Sequence, residues 1–307
     1  MFSCIIPCSQ KDLKSRKLQD LMDSIKAQDY PQEKIEILVV TQGDSEQAKA
    51  IGIKKAKGKI CAMFCTDNVL SSNLIFSKVY NLMSSNRSVA GVYGKTYEYR
   101  KKDHSLNRYF SLIGNNDPIA FYLGKCDRFP IYLRQKEISY SLVDFAEDNI
   151  PSLGDNGFFY RKSYIEDTNL DHYYPMDNAE DLRRQGISSY WRLEGPTVWH
   201  RTSDNLISFL RKRYCYARDL YCDREDRRWK IIDSTKDKLR VAGFVLATIT
   251  IIQPVMVSAR GFFKARDFAW FWHPIVCWGF LITYGILALR NLKRYGTIFQ
   301  KKCPSPA

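Results

Sequence analysis

The stretch "KIEILVVTQGDSEQAKAIGIKKAKGKICAMFCTDN", residues 34–68, decides the fold. It opens on an apolar run, "KIEILVV" (34–40), passes through a helical pattern over about Ser45 to Ala56, and returns to a second apolar run, "KICAMFC" (59–65). Short apolar runs bounded by polar turns read as buried strands, and a helix between two of them reads as a crossover. Upstream, "FSCIIP" (2–7) reads as another buried strand, while "KLQDLMDSIKAQD" (17–29) places Leu18, Leu21, Met22 and Ile25 on one helical face. The order is βαβαβ, which calls for a mainly parallel sheet with helices on its faces. Such sheets bind ligands beyond the carboxyl ends of their strands. Pro7 to Gln10, Thr41 to Asp44 and Thr66 to Asn68 all fall there. Asp and Asn also favour turns for purely local reasons, so Asp67 and Asn68 need a second argument before they count as a site.

Composition narrows the partners. The 307 residues have room for one large domain or two modest ones, and 47 Lys+Arg against 33 Asp+Glu give a net charge of +14. That balance suits an anionic partner: nucleic acid, phospholipid or a phosphorylated substrate. The nine cysteines are odd in number and contain no CxxC pair, so they read as reduced thiols of a cytosolic domain, not as a disulfide framework or zinc site. "MFSCIIPCSQ" has no basic residues before its apolar run and is not expected to be a signal peptide.

Further along, "SVAGVYGKTYEYR" (88–100) reads as a strand and "NRYFSLIGNNDP" (107–118) as a helix ending in a turn. "SLGDNGFFYRKSYI" (152–165) precedes an acidic, aromatic stretch, "DHYYPMDNAEDLRRQG" (171–186), in which Asp177 and Glu180 fit a capping box at a helix start. Then come a strand, "PTVWH" (196–200), and a strongly basic helix, "LISFLRKRYCYARDLYCDREDRRWK" (206–230). Two segments without an acidic or basic side chain follow, about 241–259 and 268–289, each near the length that a helix needs to cross a bilayer. Basic residues on the outer flanks place both ends in the cytosol by the positive-inside rule. The basic connecting loop and Gln253-Pro254 leave open a hairpin that only dips into one leaflet. The expected domains are therefore a catalytic domain over 1–205, a basic interfacial helix over 206–235 and a membrane anchor over 236–307. A basic helix with an apolar face suits the headgroup layer. No recognised DNA or RNA motif is present, and nucleic acid is not an expected partner.

The order of motifs resembles the family 2 glycosyltransferases of GT-A fold, a Rossmann-like α/β architecture. The segment "AKAIGIKKAKG" (48–58) is similar to that family's "A-R-N-x-G-i-x-x-A-x-G", "IIPCSQ" loosely matches its first turn, and "TQGDS" stands where the family has "DDGS". "CTDN" then occupies the place of the DxD metal motif, with Cys65 in the position of the first carboxylate and Asp67 in that of the second. The resemblance implies an inverting, metal-dependent transfer from a nucleotide sugar, UDP by family frequency, to a polyprenyl-phosphate- or lipid-linked acceptor at the cytosolic membrane face. It implies donor contacts from Pro7, Gln42, Lys49, Asp67 and Asn68. It implies Mn²⁺ or Mg²⁺ held by Asp67, with His200 at the end of "PTVWH" as a further ligand. Asp177, or else Asp181, would be the general base. Gly154, Asn156 and Gly157 would face the acceptor, and Arg211, Lys212 and Arg213 would grip a phosphate of donor or lipid. The missing first carboxylate and the altered "TQGD" keep a catalytically silent, membrane- or partner-binding relative as the alternative.

Overall fold

The computed structural model describes residues 1–131, 140–145, 150–219 and 227–301, the last ten by their backbone alone. The chain divides into two compact units, Met1–Asp103 with Phe110–Asn116 and Gly124–Thr202, and His104–Tyr109 with Asp117–Leu123 and Ser203 onward. The first unit ends at Thr202, and two short segments before it, His104–Tyr109 and Asp117–Leu123, group with the C-terminal unit.

The first unit is built on a seven-stranded sheet. In chain order its strands are β1 (Phe2–Pro7), β2 (Ile35–Val40), β3 (Ile60–Met63), β5 (Gly91–Thr96), β6 (Tyr140–Asp144), β7 (Phe158–Arg161) and β8 (Ser189–Pro196), and β4 (Asn68–Leu70) pairs instead with β9 (Val198–His200). The spatial order is β2-β1-β3-β7-β5-β8-β6, in which β7 and β6 oppose the other five. The apolar β1 pairs in parallel with both β2 and β3. Helix α1 (Arg16–Lys26) buries Leu18, Leu21 and Ile25, and α3 (Ile75–Ser85) buries Ile75, Phe76, Val79, Leu82 and Met83 in the same core cluster. Phe2 stacks on Phe76 at 4.6 Å and meets Phe159 edge-on at 6.2 Å, so aromatic packing ties β1 to α3 and β7. Helix α2 (Ser45–Lys55) lies against β1 and β2; a Cβ on its Gly52 would come within 2.4 Å of Ile5 Cγ2, so the absent side chain permits the close approach. Asp44 caps α2 in a capping box with Gln47. The parallel register puts Pro7, Val40 and Met63 at one edge of the sheet.

The second unit is helical. Its elements include the start of α4 (Ser105–Ile113), then α5 (Pro118–Leu123), α8 (Leu206–Ala217), α9 (Thr235–Thr250), α10 (Ile252–Lys264) and α11 (Trp272–Lys301). The helices α6 (Lys162–Ile165) and α7 (Pro175–Arg184) belong to the first unit. The single basic helix expected over 206–230 is shorter: α8 ends at Ala217, residues 220–226 lie outside the described residues, and residues 227–234 are not helical. The first charge-free segment, about 241–259, is interrupted beside Gln253-Pro254, the break noted in the sequence. It is two helices, α9 and α10, bent by 84° at Ile251, which sits at φ 58 just before Gln253-Pro254. Proline lacks the N–H that a continuous helix would need there, and its ring crowds the preceding turn. Phe268–Asn291, by contrast, is one segment of 24 residues, long and apolar enough to cross a membrane. Within this unit Trp270 is fully buried against Gly261, and Arg108 forms a two-pronged ion pair with Asp267 at 2.9 and 3.2 Å. Cys4, Cys8, Cys61, Cys65, Cys126, Cys215 and Cys277 are all free thiols.

Candidate active site

The carboxyl edge of β1, β2 and β3 gathers the turns singled out in the sequence. Strand β3 ends at Met63, earlier than the run "KICAMFC" suggests; the Phe64 amide still donates to the Ile5 carbonyl of β1 (3.1 Å), and from Cys65 the chain enters a loop that Asn68 closes. The Cys65 amide donates to Asn68 Oδ1 (3.0 Å), and the Asn68 amide donates to the Cys65 carbonyl (3.0 Å). This Asx-type closure leaves Asp67 at the loop's tip with its side chain 26% exposed. Asn68 then starts β4, whose antiparallel register sets it opposite His200 on β9. Two residues far apart in sequence are thereby brought together: His200 Nε2 lies 3.5 Å from Asp67 Oδ1. Burial alone would raise the Asp67 carboxyl, but His200 beside it, with help from Lys17, holds it below the usual carboxylate value. The His200 ring also has Nδ1 3.2 Å from Thr202 Oγ1 and packs at 5.2 Å from the Tyr97 ring. With Nδ1 turned to Thr202, Nε2 is the ring nitrogen that faces Asp67.

These two side chains fit a small divalent cation. One carboxylate oxygen and one imidazole nitrogen at this separation can share an ion, and Mn²⁺ accepts both donor types. Among the described residues no group of three or more His, Cys, Asp or Glu gathers to hold a metal.

The second wall is the loop "GDNG" (154–157). Gly157 sits at φ +70, donates to the Met63 carbonyl (3.0 Å), and would push a Cβ to 2.5 Å from Val198 Cγ1, so the loop lies tightly over the end of β3. Asn156 Oδ1 accepts from Asn68 Nδ2 (3.0 Å), which ties this loop to the Asp67 loop. Asn156 is held in turn by Tyr97 Oη (3.3 Å) and by the buried Arg128, which donates to the Asn156 carbonyl, to Asp127 Oδ2 (2.6 Å) and to Tyr97 Oη (3.3 Å). Asp155 pairs with Lys49 Nζ at 2.6 Å, and Lys49 also contacts Glu46. Burial alone would lower the Lys49 pKa, but these two carboxylates raise it, so the ammonium stays charged. The side chains of Lys49 and Asn68 are thus buried and engaged within the protein, where they hold the two loops.

Other expected site residues sit as follows. Gln42 is exposed on the turn after β2, and Pro7 ends β1 at the same edge. Gly154 lies near Asp127 and Asn156. Asp177 and Asp181 are one turn apart on α7 and share a face; Asp177 is only 1% exposed, while Asp181 is half-buried. The expected capping box between Asp177 and Glu180 does not form. Helix α7 begins earlier, with Tyr174 at its N-cap and Pro175 in its first turn, and Glu180 instead accepts from Arg183 (2.8 Å) and Arg184 (2.9 Å). In the second unit Arg211 and Lys212 are exposed on α8, whereas Arg213 turns inward, 3.8 Å from Asp117 and over the Phe280 ring. Sequence reasoning missed Tyr97, Asp127, Arg128 and Asp155. Only Asp155 carried a signal, through its place inside "GDNG".

No protein-family model matches the chain, and no characterised protein matches it by sequence. Among solved structures, the mannosyltransferase PcManGT from Pyrobaculum calidifontis, in complex with GDP-Man and Mn²⁺, aligns with a TM-score of 0.50 and 12% identity over 95% of this chain and 86% of that one. TarS from S. aureus aligns with a TM-score of 0.46 and 13% identity over 87% of this chain and 50% of that chain, so the present chain spans half of TarS. The chain has the mixed α/β, GT-A-type fold of the mannosyltransferase.

Proposed function

We propose that the chain is a membrane-anchored family 2 glycosyltransferase. It would move a sugar, with inversion, from a nucleotide sugar to a polyprenyl-phosphate- or lipid-linked saccharide acceptor at the cytosolic face of a membrane. The observation that carries this reading is the Asp67–His200 pair, 3.5 Å apart at the carboxyl edge of the sheet and walled by residues 154–157. The mannosyltransferase of the same fold carries GDP-Man and Mn²⁺, the class of ligands proposed here.

Asp67 and His200 would hold the divalent ion, which, when bound, offsets charge on the departing nucleoside diphosphate. The residues of the chain do the rest. Gln42, on its exposed turn, offers an amide to the nucleobase. The Arg128–Asn156–Asn68 chain fixes the two loops so that Asp67 needs no rearrangement as charge develops. Asp177 or Asp181 takes the proton from the attacking acceptor hydroxyl, which requires hydrogen-bond reach to that oxygen. Arg211 and Lys212, exposed on α8, suit the phosphate of a lipid acceptor. Incubation of the purified chain with UDP- and GDP-sugars, with Mn²⁺, with Mg²⁺ and with chelator, tests the reading through nucleotide release. Metal-dependent release from at least one donor supports it, and no release from any donor favours the catalytically silent alternative.

A further inference from the structure

The end of the sheet away from Asp67 has a concavity of its own. Where β3 begins at Ile60 and β7 finishes at Arg161, a cavity of about 880 Å³ opens, within the size range of ordinary ligand pockets. Four cations line it, Lys57, Lys59, Arg87 and Arg161, and no Asp or Glu does. Lys57, Lys59 and Arg87 are exposed, and among the described residues no ion pair joins any of the four to a carboxylate. The nearby carboxylate of Glu166 is taken by Lys162 at 3.2 Å.

Arg161 shows how the cluster is held. Its guanidinium donates to the carbonyls of Met83 (2.8 Å), Asn86 (3.0 Å) and Val89 (3.3 Å), closing the C-terminal end of α3. Carbonyl dipoles satisfy its protons without cancelling its charge. Burial lowers the Arg161 pKa; Tyr164 pulls it back up, and Arg87 adds a smaller push down. Ser84 and Ser163 add exposed hydroxyls to the same wall. A concave surface with unpaired cations and hydroxyl donors recognises oxyanions, and guanidinium with ammonium groups suits phosphate above all.

We propose that this cavity is a second anion site, which binds a phosphomonoester or diphosphate group at the end of the sheet opposite the donor site. The group could belong to a free metabolite or to a lipid headgroup, and the two sources are separable. The full chain in detergent, free of divalent ions, is titrated with inorganic pyrophosphate while its thermal midpoint is followed; sodium sulfate at matched ionic strength is the control. The midpoint should rise with pyrophosphate in wild type and in Asp67→Asn. In Lys57→Gln/Lys59→Gln/Arg87→Gln the concentration needed should increase about tenfold or more, as charge-assisted contacts are lost. Arg87→Glu alone should weaken the response in the same direction. If pyrophosphate has no effect but nanodiscs containing phosphatidic acid stabilise wild type and not the triple variant, the source is a headgroup. An undiminished pyrophosphate response in the triple variant, its loss in Asp67→Asn, an equal effect of sulfate, or no response to either phosphate source would overturn the proposal.

Discussion

At the scale of the residue, the candidate site is two loops stitched by amides. Asn68 and Asn156 join them, Arg128 and Tyr97 hold Asn156 from behind, and Asp67 faces His200 at 3.5 Å. Little of that stitching was legible in the sequence. Asp67 and His200 were marked by the family resemblance, through the place of "CTDN" and the end of "PTVWH", but their contact depends on the three-residue pairing of β4 with β9, too short to leave a periodic signal. Arg128 sits in a stretch without periodicity, and its partners come from distant loops. Asp177→Asn should leave nucleotide binding nearly intact and lower turnover by at least about 100-fold, the usual scale for a general base. Because α7 draws no cap from Asp177, the substitution disturbs no cap hydrogen bond. Steady-state kinetics of Asp177→Asn and Asp181→Asn in parallel check this, and if only Asp181→Asn loses turnover the role passes to Asp181.

Elements show where pattern reading succeeds and where tertiary context overrides it. The βαβαβ start was legible because its strands are apolar runs and its first helix carries an apolar stripe, Leu18, Leu21 and Ile25. Strand β8, "SYWRLEGP", was not, because it mixes half-buried and buried residues without strict alternation and carries Glu194 inward to meet the buried Lys95. Glu194 also accepts from Ser141 Oγ at 2.9 Å. Burial would raise its pKa, but Lys95 and Ser141 outweigh burial and lower it. A carboxyl with a lowered folded pKa contributes stability above its unfolded value, and that contribution is lost as pH falls through the folded value. Glu194→Gln should therefore cost about 3–5 kcal/mol near neutrality, since Lys95 is left buried and unpaired. The gap from wild type should narrow below about pH 4, where unfolded glutamates protonate. Urea unfolding from pH 7 down to 3 measures both, and a gap that does not change with pH would contradict the assignment. In the second unit, Gln253-Pro254 marked a break in the first charge-free run, and the left-handed Ile251 beside it is where α9 and α10 bend by 84°. Ile251 is 46% exposed, so its side chain adds little packing, while a β-branched residue in that conformation costs about 1–2 kcal/mol. Ile251→Gly should then keep or raise the thermal midpoint in detergent. A clear fall would mean that the side chain, not the backbone, sustains the bend.

Taken whole, the molecule pairs a sheet-based unit bearing a candidate nucleotide-sugar site with a helical unit bearing a segment able to cross a bilayer. A soluble acceptor would give no reason for the second unit, whereas a lipid-linked acceptor presents its phosphate at headgroup depth, where each cation contributes on the order of 1 kcal/mol. Arg211 and Lys212 are exposed and suited to that role, but Arg213 is packed against Asp117 and Phe280, so only the first two can be neutralised without disturbing the helices. Arg211→Gln/Lys212→Gln should raise the apparent KM for a long-chain lipid acceptor about tenfold or more, given two such cations. It should leave a short water-soluble analogue nearly unchanged, and equal losses for both acceptors would move these residues to the donor. The central claim is that Asp67 and His200 bind nucleotide through a divalent ion, and calorimetry tests it most directly. UDP and GDP are titrated into wild type and Asp67→Asn, each with Mn²⁺ and with chelator. Mn²⁺ should tighten binding of one nucleotide to wild type by at least about tenfold, or 1.4 kcal/mol, and should have no effect on Asp67→Asn. Equal tightening in both proteins, or none in wild type, would contradict the claim.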